Sequence, residues 1–232
     1  TLWQANGLEE QFQFLAVDSD IESLREMELL ADTDPSIKVV SLCERPETLS
    51  MLADQAKQLQ EYAWWFRTEK ESAQVIGRTR QDARALFIAK FQMFRSIVMR
   101  AISESGSLNR LNNGIQVHVF VGMGGTTGSG CFLDVCYIVG QILKELGLYD
   151  SAVINGYFFT SDVYFCRNEV ADNQDAKKWL EMNSNAALED LDRCMNFAYN
   201  DDCWMQIYQG GYCVVPVNDA PVKNAFLIST QN

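Results

Sequence analysis

The stretch Gly122-Met123-Gly124-Gly125-Thr126-Thr127-Gly128-Ser129-Gly130 decides the fold, because an apolar run precedes it and a segment with apolar residues at helical spacing follows it. This order predicts a strand, a glycine-rich loop and a helix. Glycines allow the backbone to approach a ligand closely, and the first turn of a helix presents unpaired N–H groups at a positive dipole end. The stretch is therefore a candidate phosphate cradle, to which Thr126, Thr127 and Ser129 add hydroxyl donors.

A close-packed turn without a ligand is the alternative for the same stretch, because glycine also serves where a strand meets a helix at short distance. Five glycines in nine residues are more than such a connection needs. Two common nucleotide motifs are excluded, since the stretch contains neither GxGxxG nor GK[ST].

The segments that flank the stretch predict an α/β fold. Val117–Val121 is almost continuously apolar, as expected for a parallel strand buried on both faces, and Ala152–Phe159 is the next strand. The intervening helix makes a right-handed crossover, which places the glycine loop at the carboxyl end of its strand, where open α/β sheets bind ligands. Further strands are predicted at 13–17, 37–42, 212–217 and 225–229, and further helices ending near 30 and at 83–102 and 175–199.

The composition limits the class of protein. The chain has 232 residues, 47% of them hydrophobic, which suffices for one large domain. A formal net charge of −12 argues against general binding to nucleic acids or anionic membranes. Seven cysteines without CxxC pairs, and a single histidine, indicate reduced thiols in a cytoplasmic protein, and no residue is assigned as a metal ligand. No apolar run reaches the ~18 residues that suggest a membrane span.

Polar residues that follow the predicted strands are further candidates. Asp18 and Asp20 come after the first strand and are suited to cap the next helix. Asp162 follows the strand at 152–159, where it suits an ordinary turn and the acceptance of a hydrogen bond from a ribose hydroxyl equally well. Arg84 ends the most basic short segment, at 77–84, which suits a phosphate contact or a salt-bridged helix entrance.

Two asparagines, Asn183 and Asn185, lie in the helix predicted at 175–199. Asparagine is mildly unfavourable inside helices, so two of them two residues apart call for a reason. The residues alone leave two readings open, since an asparagine is an ordinary surface polar residue and its amide also carries the donor and acceptor that recognise a purine edge.

The string GMGGTTGSG resembles the signature loop of the tubulin/FtsZ superfamily, usually written GGGTGSG or GMGGGTGTG, with Thr126 in place of the third consecutive glycine. The resemblance implies a Rossmann-like three-layer fold with a mostly parallel sheet and helices on both faces. It also implies that Gly124, Gly125, Thr126, Thr127, Gly128, Ser129 and Gly130 bind the phosphates of GTP or GDP together with Mg²⁺. A Cβ at Thr126 is expected to crowd the phosphates or to conflict with a backbone angle that glycine permits.

Other segments are similar to this superfamily in the same order. FLAVDSDIESL resembles its second strand and acidic loop, which makes Asp18 and Asp20 candidates for indirect magnesium or base-side contacts. The segment before Arg84 looks like a shortened form of a basic segment of bacterial tubulin-like proteins. In the superfamily, the loop at the place of Asp162 lies along the sugar of the nucleotide. NAALEDL resembles the tubulin segment NEAIYDI, which assigns the guanine contact to Asn185, whereas a bacterial pattern assigns it to Asn183, so the register stays open.

The resemblance implies a bacterial tubulin-like protein that binds guanine nucleotide, assembles into filaments or oligomers, and hydrolyses GTP at subunit interfaces. Residues 1–232 are expected to be a single nucleotide-binding domain, a fragment that lacks the first phosphate loop and the C-terminal domain, and no catalytic residue is assigned. One alternative is a non-catalytic tubulin-like scaffold or interaction module, with the aromatic group Tyr62–Phe66 as a partner surface or buried packing. The other is an unrelated Rossmann-like enzyme without guanine preference.

Overall fold

The computed structural model of the chain describes residues 12–42, 79–105, 114–197, 203–208 and 213–230. The aromatic group at Tyr62–Phe66 lies outside the described residues, as does the start of the basic segment at 77–78.

The first described unit is a strand, a helix and a parallel strand. Strand β1 spans Phe14–Asp18, helix α1 spans Ile21–Ala31 and strand β2 spans Ile37–Ser41. The two strands pair in parallel, with Asp18 level with Ser41. Asp20 caps α1, because its side chain accepts a hydrogen bond from the Glu22 N–H, so the predicted capping role is confirmed.

Two helices follow where the sequence predicted one. Helix α2 spans Arg80–Ala89 and helix α3 spans Phe91–Glu104, with Lys90 between them at φ −97° and ψ 8°, outside the helical region. Thr79 and Asp82 form a capping box that starts α2. The prediction of a single helix at 83–102 was wrong because apolar residues line the buried sides of both helices, and their periodicity does not reveal the bend at Lys90.

The parallel sheet that carries the glycine motif has three strands. Strand β3 spans Gln116–Gly122, helix α4 spans Thr126–Glu145 and strand β4 spans Val153–Phe159. After β4 come the short helix α5 (Asn168–Ala171) and the long helix α6 (Gln174–Met195). The sheet order is β3-β4-β7, where β7 spans Asn224–Ile228, and all neighbours are parallel.

An antiparallel pair precedes β7. Strand β5 spans Trp204–Tyr208 and strand β6 spans Cys213–Val217, with Tyr208 opposite Cys213. The sequence predicted β6 but not β5, because WMQIY is too short and too mixed to give a clear alternation. The ring of Tyr208 is fully buried and stacks on Phe91 of α3 at a centroid distance of 4.6 Å.

A buried charged network fixes α2, α4 and the β5–β6 pair to one another. Asp134 of α4 is 4% exposed and accepts from Arg84 Nε at 2.9 Å and from the Tyr208 hydroxyl at 2.6 Å. Arg84 Nη2 also donates to the side chain of Gln206. The Asp134 carboxylate raises the pKa of the Arg84 guanidinium, so this arginine stays charged beside the buried oxygens that it satisfies.

The parallel strands with helices packed on them confirm the predicted α/β, Rossmann-like class. Val40 of β2 packs in the core with α2 and α3, while α1 lies against β1 and β2. One face of β3-β4-β7 carries the stacked rings of Phe120, Tyr157 and Phe226. Among the described residues little covers this face, and the Phe120 side chain is 67% exposed. Across the described ranges, every helix is too short or too polar to cross a membrane.

Tyr208→Phe is expected to lower the free energy of unfolding by about 1–3 kcal/mol, because it removes a buried donor from a charged acceptor. Tyr137→Phe is the matched control, since the Tyr137 hydroxyl donates to the backbone oxygen of Asp219 near the surface and its loss is expected to cost about 1 kcal/mol or less. Urea unfolding of both variants measures the two losses of unfolding free energy. Equal losses would contradict the claim that the buried network stabilises the fold more than the Tyr137 hydrogen bond does.

Candidate functional site

The glycine motif is half loop and half helix. Helix α4 begins at Thr126, five residues earlier than the start at 131 that the apolar periodicity predicted. Gly125 is the N-cap residue, and it makes no side-chain hydrogen bond to the first turn. Met123 is buried and its N–H donates to Phe159 of β4, which fixes the start of the loop. Among the described residues, the N–H groups of Gly124–Gly128 have no hydrogen-bond acceptor.

Two of the glycines serve packing inside the helix. A Cβ at Gly128 would lie 2.4 Å from the Gly122 oxygen, and a Cβ at Gly130 would lie 2.4 Å from the Arg80 oxygen. Residues with side chains do not fit at these positions without moving the backbone. The close-packing alternative therefore accounts for Gly128 and Gly130, while their predicted phosphate contacts stay predictions.

Thr126 fits its place without backbone conflict. It is the first residue of α4, and no glycine of the loop has a positive φ. The expected conflict with a glycine-only backbone angle was therefore wrong, because the turn into α4 uses conformations that any residue adopts. The expected crowding of the phosphates by Thr126 stays a prediction.

Asp18 faces the start of α4 from the end of β1. Its Oδ1 accepts from the Thr127 hydroxyl at 2.7 Å and from the Ser19 N–H at 2.7 Å. The hydroxyls of Ser19 and Thr127 are also 2.7 Å apart. The other carboxylate oxygen, Oδ2, has no partner among the described residues, so this half-buried cluster has one oxygen to offer. Asp20 points instead to its own helix, where it binds Glu22 and Ser23.

The two asparagines of α6 lie in different surroundings. Asn183 is buried and its Nδ2 donates to the Gly124 oxygen at 3.1 Å, so it holds the loop directly. Asn185, two positions further along the helix, is exposed. Residues two apart lie on different faces of a helix, so only Asn183 lies beside the loop.

Arg84 and Asp162 are already bound by other parts of the chain. The Arg84 guanidinium pairs with Asp134 in the core, which accounts for this arginine without a phosphate. Asp162 accepts from Thr160, Ser229 and Thr230, and the Thr160 hydroxyl, first among these, holds the pKa of its carboxyl below its usual range. Asp162 thus ties the end of β4 to the end of β7.

Arg80 and Tyr164 adjoin the loop, and neither was a predicted site residue. Arg80 donates through Nε and Nη2 to the Ser129 oxygen, and its Nη2 lies 2.5 Å from Asp190 Oδ2 of α6. Arg80 lies in the basic segment at 77–84, and its charge was the only feature of the sequence that indicated a place near the loop. These contacts join the first turns of α4 to α2 and α6.

Tyr164 ends a 3₁₀ helix at Ser161–Tyr164 and lies across the loop. A Cβ at Gly122 would lie 1.8 Å from its hydroxyl oxygen, and a Cβ at Gly124 would lie 3.3 Å from its ring. The guanidinium of Arg167 lies over this ring, 4.9 Å from its centroid. Nothing in the sequence distinguishes this tyrosine, because its role depends on how the segment after β4 folds back over the loop.

Comparison with known families gives the decisive match. A family model described as tubulin-like matches residues 2–232. The chain belongs to this tubulin-like family. No curated protein and no solved structure matches it. In this tubulin-like chain the glycine stretch follows the carboxyl end of β3, as the order of strand, loop and helix predicted. Within the described residues, no three His, Cys, Asp or Glu side chains gather to hold a metal.

Gly122→Ala is expected to cost about 1–3 kcal/mol of unfolding free energy, because the new methyl group meets the Tyr164 hydroxyl. In the Tyr164→Phe background the cost is expected to fall by about 1 kcal/mol or more, since the clashing oxygen is gone. Urea unfolding of the two single variants and the double variant measures this coupling. Additive costs would place the Tyr164 hydroxyl away from Gly122.

Proposed function

We propose that this tubulin-like protein binds a guanine nucleotide at the glycine loop, with its phosphates on the N–H groups of Gly124–Gly128. The observation that carries the proposal is this row of unpaired donors at the start of a 20-residue helix, beside the free carboxylate oxygen of Asp18. Unpaired N–H groups and the positive end of the helix dipole favour a phosphate. The family match supports a nucleotide as the source of that phosphate.

Backbone donors suit a chain of this charge. The formal net charge is −12. The two arginines of α2, Arg80 and Arg84, form ion pairs with Asp190 and Asp134. Phosphate binding through backbone N–H groups needs no basic side chain. Thr126, at the first helical position, brings a further hydroxyl donor to the same turn.

A magnesium ion fits the donor set around Asp18. Mg²⁺ in nucleotide sites commonly uses one or two protein oxygens and completes its shell with waters and phosphate oxygens. Asp18 Oδ2 offers one such oxygen, and the hydroxyls of Ser19 and Thr127 lie beside the same carboxylate. When bound, the ion would neutralise phosphate charge. Asp20 stays a predicted, indirect contact, because its carboxylate caps α1.

Asn183 is the better candidate for the base. Its Nδ2 is used on Gly124, which leaves Oδ1 as an acceptor for the N–H edge that guanine presents. Adenine lacks the corresponding ring N–H donor, so an acceptor at this place favours GTP over ATP. The proposed ribose contact of Asp162 would share a carboxylate that already binds Thr160, Ser229 and Thr230.

In this proposal the protein is cytoplasmic and assembles into homo-oligomers or filaments, and it hydrolyses GTP only when a neighbouring subunit completes the site. A non-catalytic tubulin-like scaffold with weak nucleotide binding is the second candidate. It is favoured by one observation, namely that Arg84 and Asp162 are occupied by contacts within the chain.

Calorimetric titration with GTP, GDP and ATP in the presence of Mg²⁺ tests the proposal. We expect GTP and GDP to bind more tightly than ATP. Undetectable binding of all three, in protein that unfolds cooperatively, would sink the proposal in favour of the scaffold. Equal affinity for GTP and ATP would instead indicate a Rossmann-like mononucleotide site. Turnover per subunit that rises with protein concentration is the outcome expected for hydrolysis at interfaces.

Asn183→Ala and Asn185→Ala form a matched pair for the base contact. Asn183→Ala is expected to lower GTP affinity about tenfold or more and to reduce the ratio of GTP to ATP affinity, because it removes the acceptor for guanine. Asn185→Ala is expected to change that ratio less than twofold. The same titration gives both values. If Asn183→Ala weakened GTP and ATP equally, Asn183 would act only by holding Gly124.

A further inference from the structure

We infer that the hydroxyl of Tyr164 donates a hydrogen bond to a phosphate group of the bound nucleotide, which makes Tyr164 a binding residue of the site. This inference rests on the proposed function. It adds a contact from the segment after β4, which supplies no phosphate ligand in the assignments above.

The position of the ring is the first support. Tyr164 lies across the loop that precedes α4, with its hydroxyl in the space that a side chain at Gly122 would fill. The same oxygen lies 3.9 Å from the place of a Cβ at Gly125, the N-cap of α4. The hydroxyl is therefore within reach of the space that the unpaired N–H groups of Gly124–Gly128 border.

The hydrogen bonding of Tyr164 is the second support. Its hydroxyl has no hydrogen-bond partner among the described residues, although the side chain is only partly accessible to water. A phenol that is withdrawn from water without a partner costs free energy, and a phosphate oxygen is a strong acceptor. The hydroxyl and the loop N–H groups thus present unpaired donors to one space.

The protonation state agrees with a donor. Partial burial raises the pKa of Tyr164, and the nearby negative charge of Asp18 raises it further, while Arg167 opposes the shift. The hydroxyl therefore keeps its proton at neutral pH.

Two contacts hold the ring in place. The guanidinium of Arg167 lies over it, 4.9 Å from the centroid, and the ring and Leu180 both border the place that a Cβ at Gly124 would occupy. A cation over the face of a tyrosine ring is attracted by the ring and so stabilises its orientation. Because the ring is already ordered in the free protein, less side-chain entropy is lost when the nucleotide binds.

Tyr164→Phe keeps the ring and removes only the donor. We expect it to weaken GDP and GTP about tenfold, since a hydrogen bond to a charged group contributes about 1.5 kcal/mol or more. Guanosine, which has no phosphate, is expected to bind the wild type and Tyr164→Phe with equal affinity. Tyr149→Phe is the control, because Tyr149 is also half-buried but lies in the 3₁₀ helix that precedes β4, at the opposite end of the strand from Tyr164.

Carbon-13 labelling of the tyrosine Cζ gives a readout that does not depend on the variant's stability. The Tyr164 signal, assigned by its loss in Tyr164→Phe, is expected to shift on addition of GDP and not on addition of guanosine. If the wild type binds GDP but Tyr164→Phe binds it equally well or more tightly, or if the signal does not move, the inference is wrong while the proposed function stands. If the wild type binds no nucleotide, both fail together.

Discussion

The hydrogen bond from the Thr127 hydroxyl to Asp18 joins two groups of parallel strands that share no backbone pairing in the described structure. Asp18 ends β1, and Thr127 lies in the first turn of the helix that follows β3. The distance between β1 and the glycine loop is therefore set by side chains. Every other part of the candidate site depends on that distance, because the unpaired N–H groups are useful only if a carboxylate and hydroxyls border the same space.

The interior of the molecule supports this placement. Asp134, about one turn beyond the motif on α4, binds Arg84 and Tyr208, and Arg80 binds the Ser129 oxygen. These contacts attach α4 to α2 and to β5. A helix held by buried, charge-assisted hydrogen bonds keeps its N-terminus in a fixed position. The loop is thus presented by a rigid element, which reduces the cost of binding a ligand.

The sequence predicted the strand-loop-helix unit and the α/β class because both depend on local periodicity and on turn chemistry. It predicted the helix start at 131 instead of Thr126, since glycines are read as loop residues and the neighbours that demand them, such as the Arg80 oxygen, come from distant segments. The break at Lys90 and the position of Tyr164 were beyond prediction for the same reason. Asn183 and Asn185 could be told apart only once the helix face beside Gly124 was known.

The central claim is that the N–H groups at the start of α4 bind the phosphates of a guanine nucleotide, and amide NMR tests it most directly. In nitrogen-15-labelled protein, addition of GDP with Mg²⁺ is expected to shift the amide signals of Gly124–Gly128 more than any others, while guanosine leaves them near their free positions. If saturating GDP leaves these five signals unmoved, or moves chiefly those around the cavity of about 330 Å³ at Tyr149, Asp150 and Lys223, the account is contradicted.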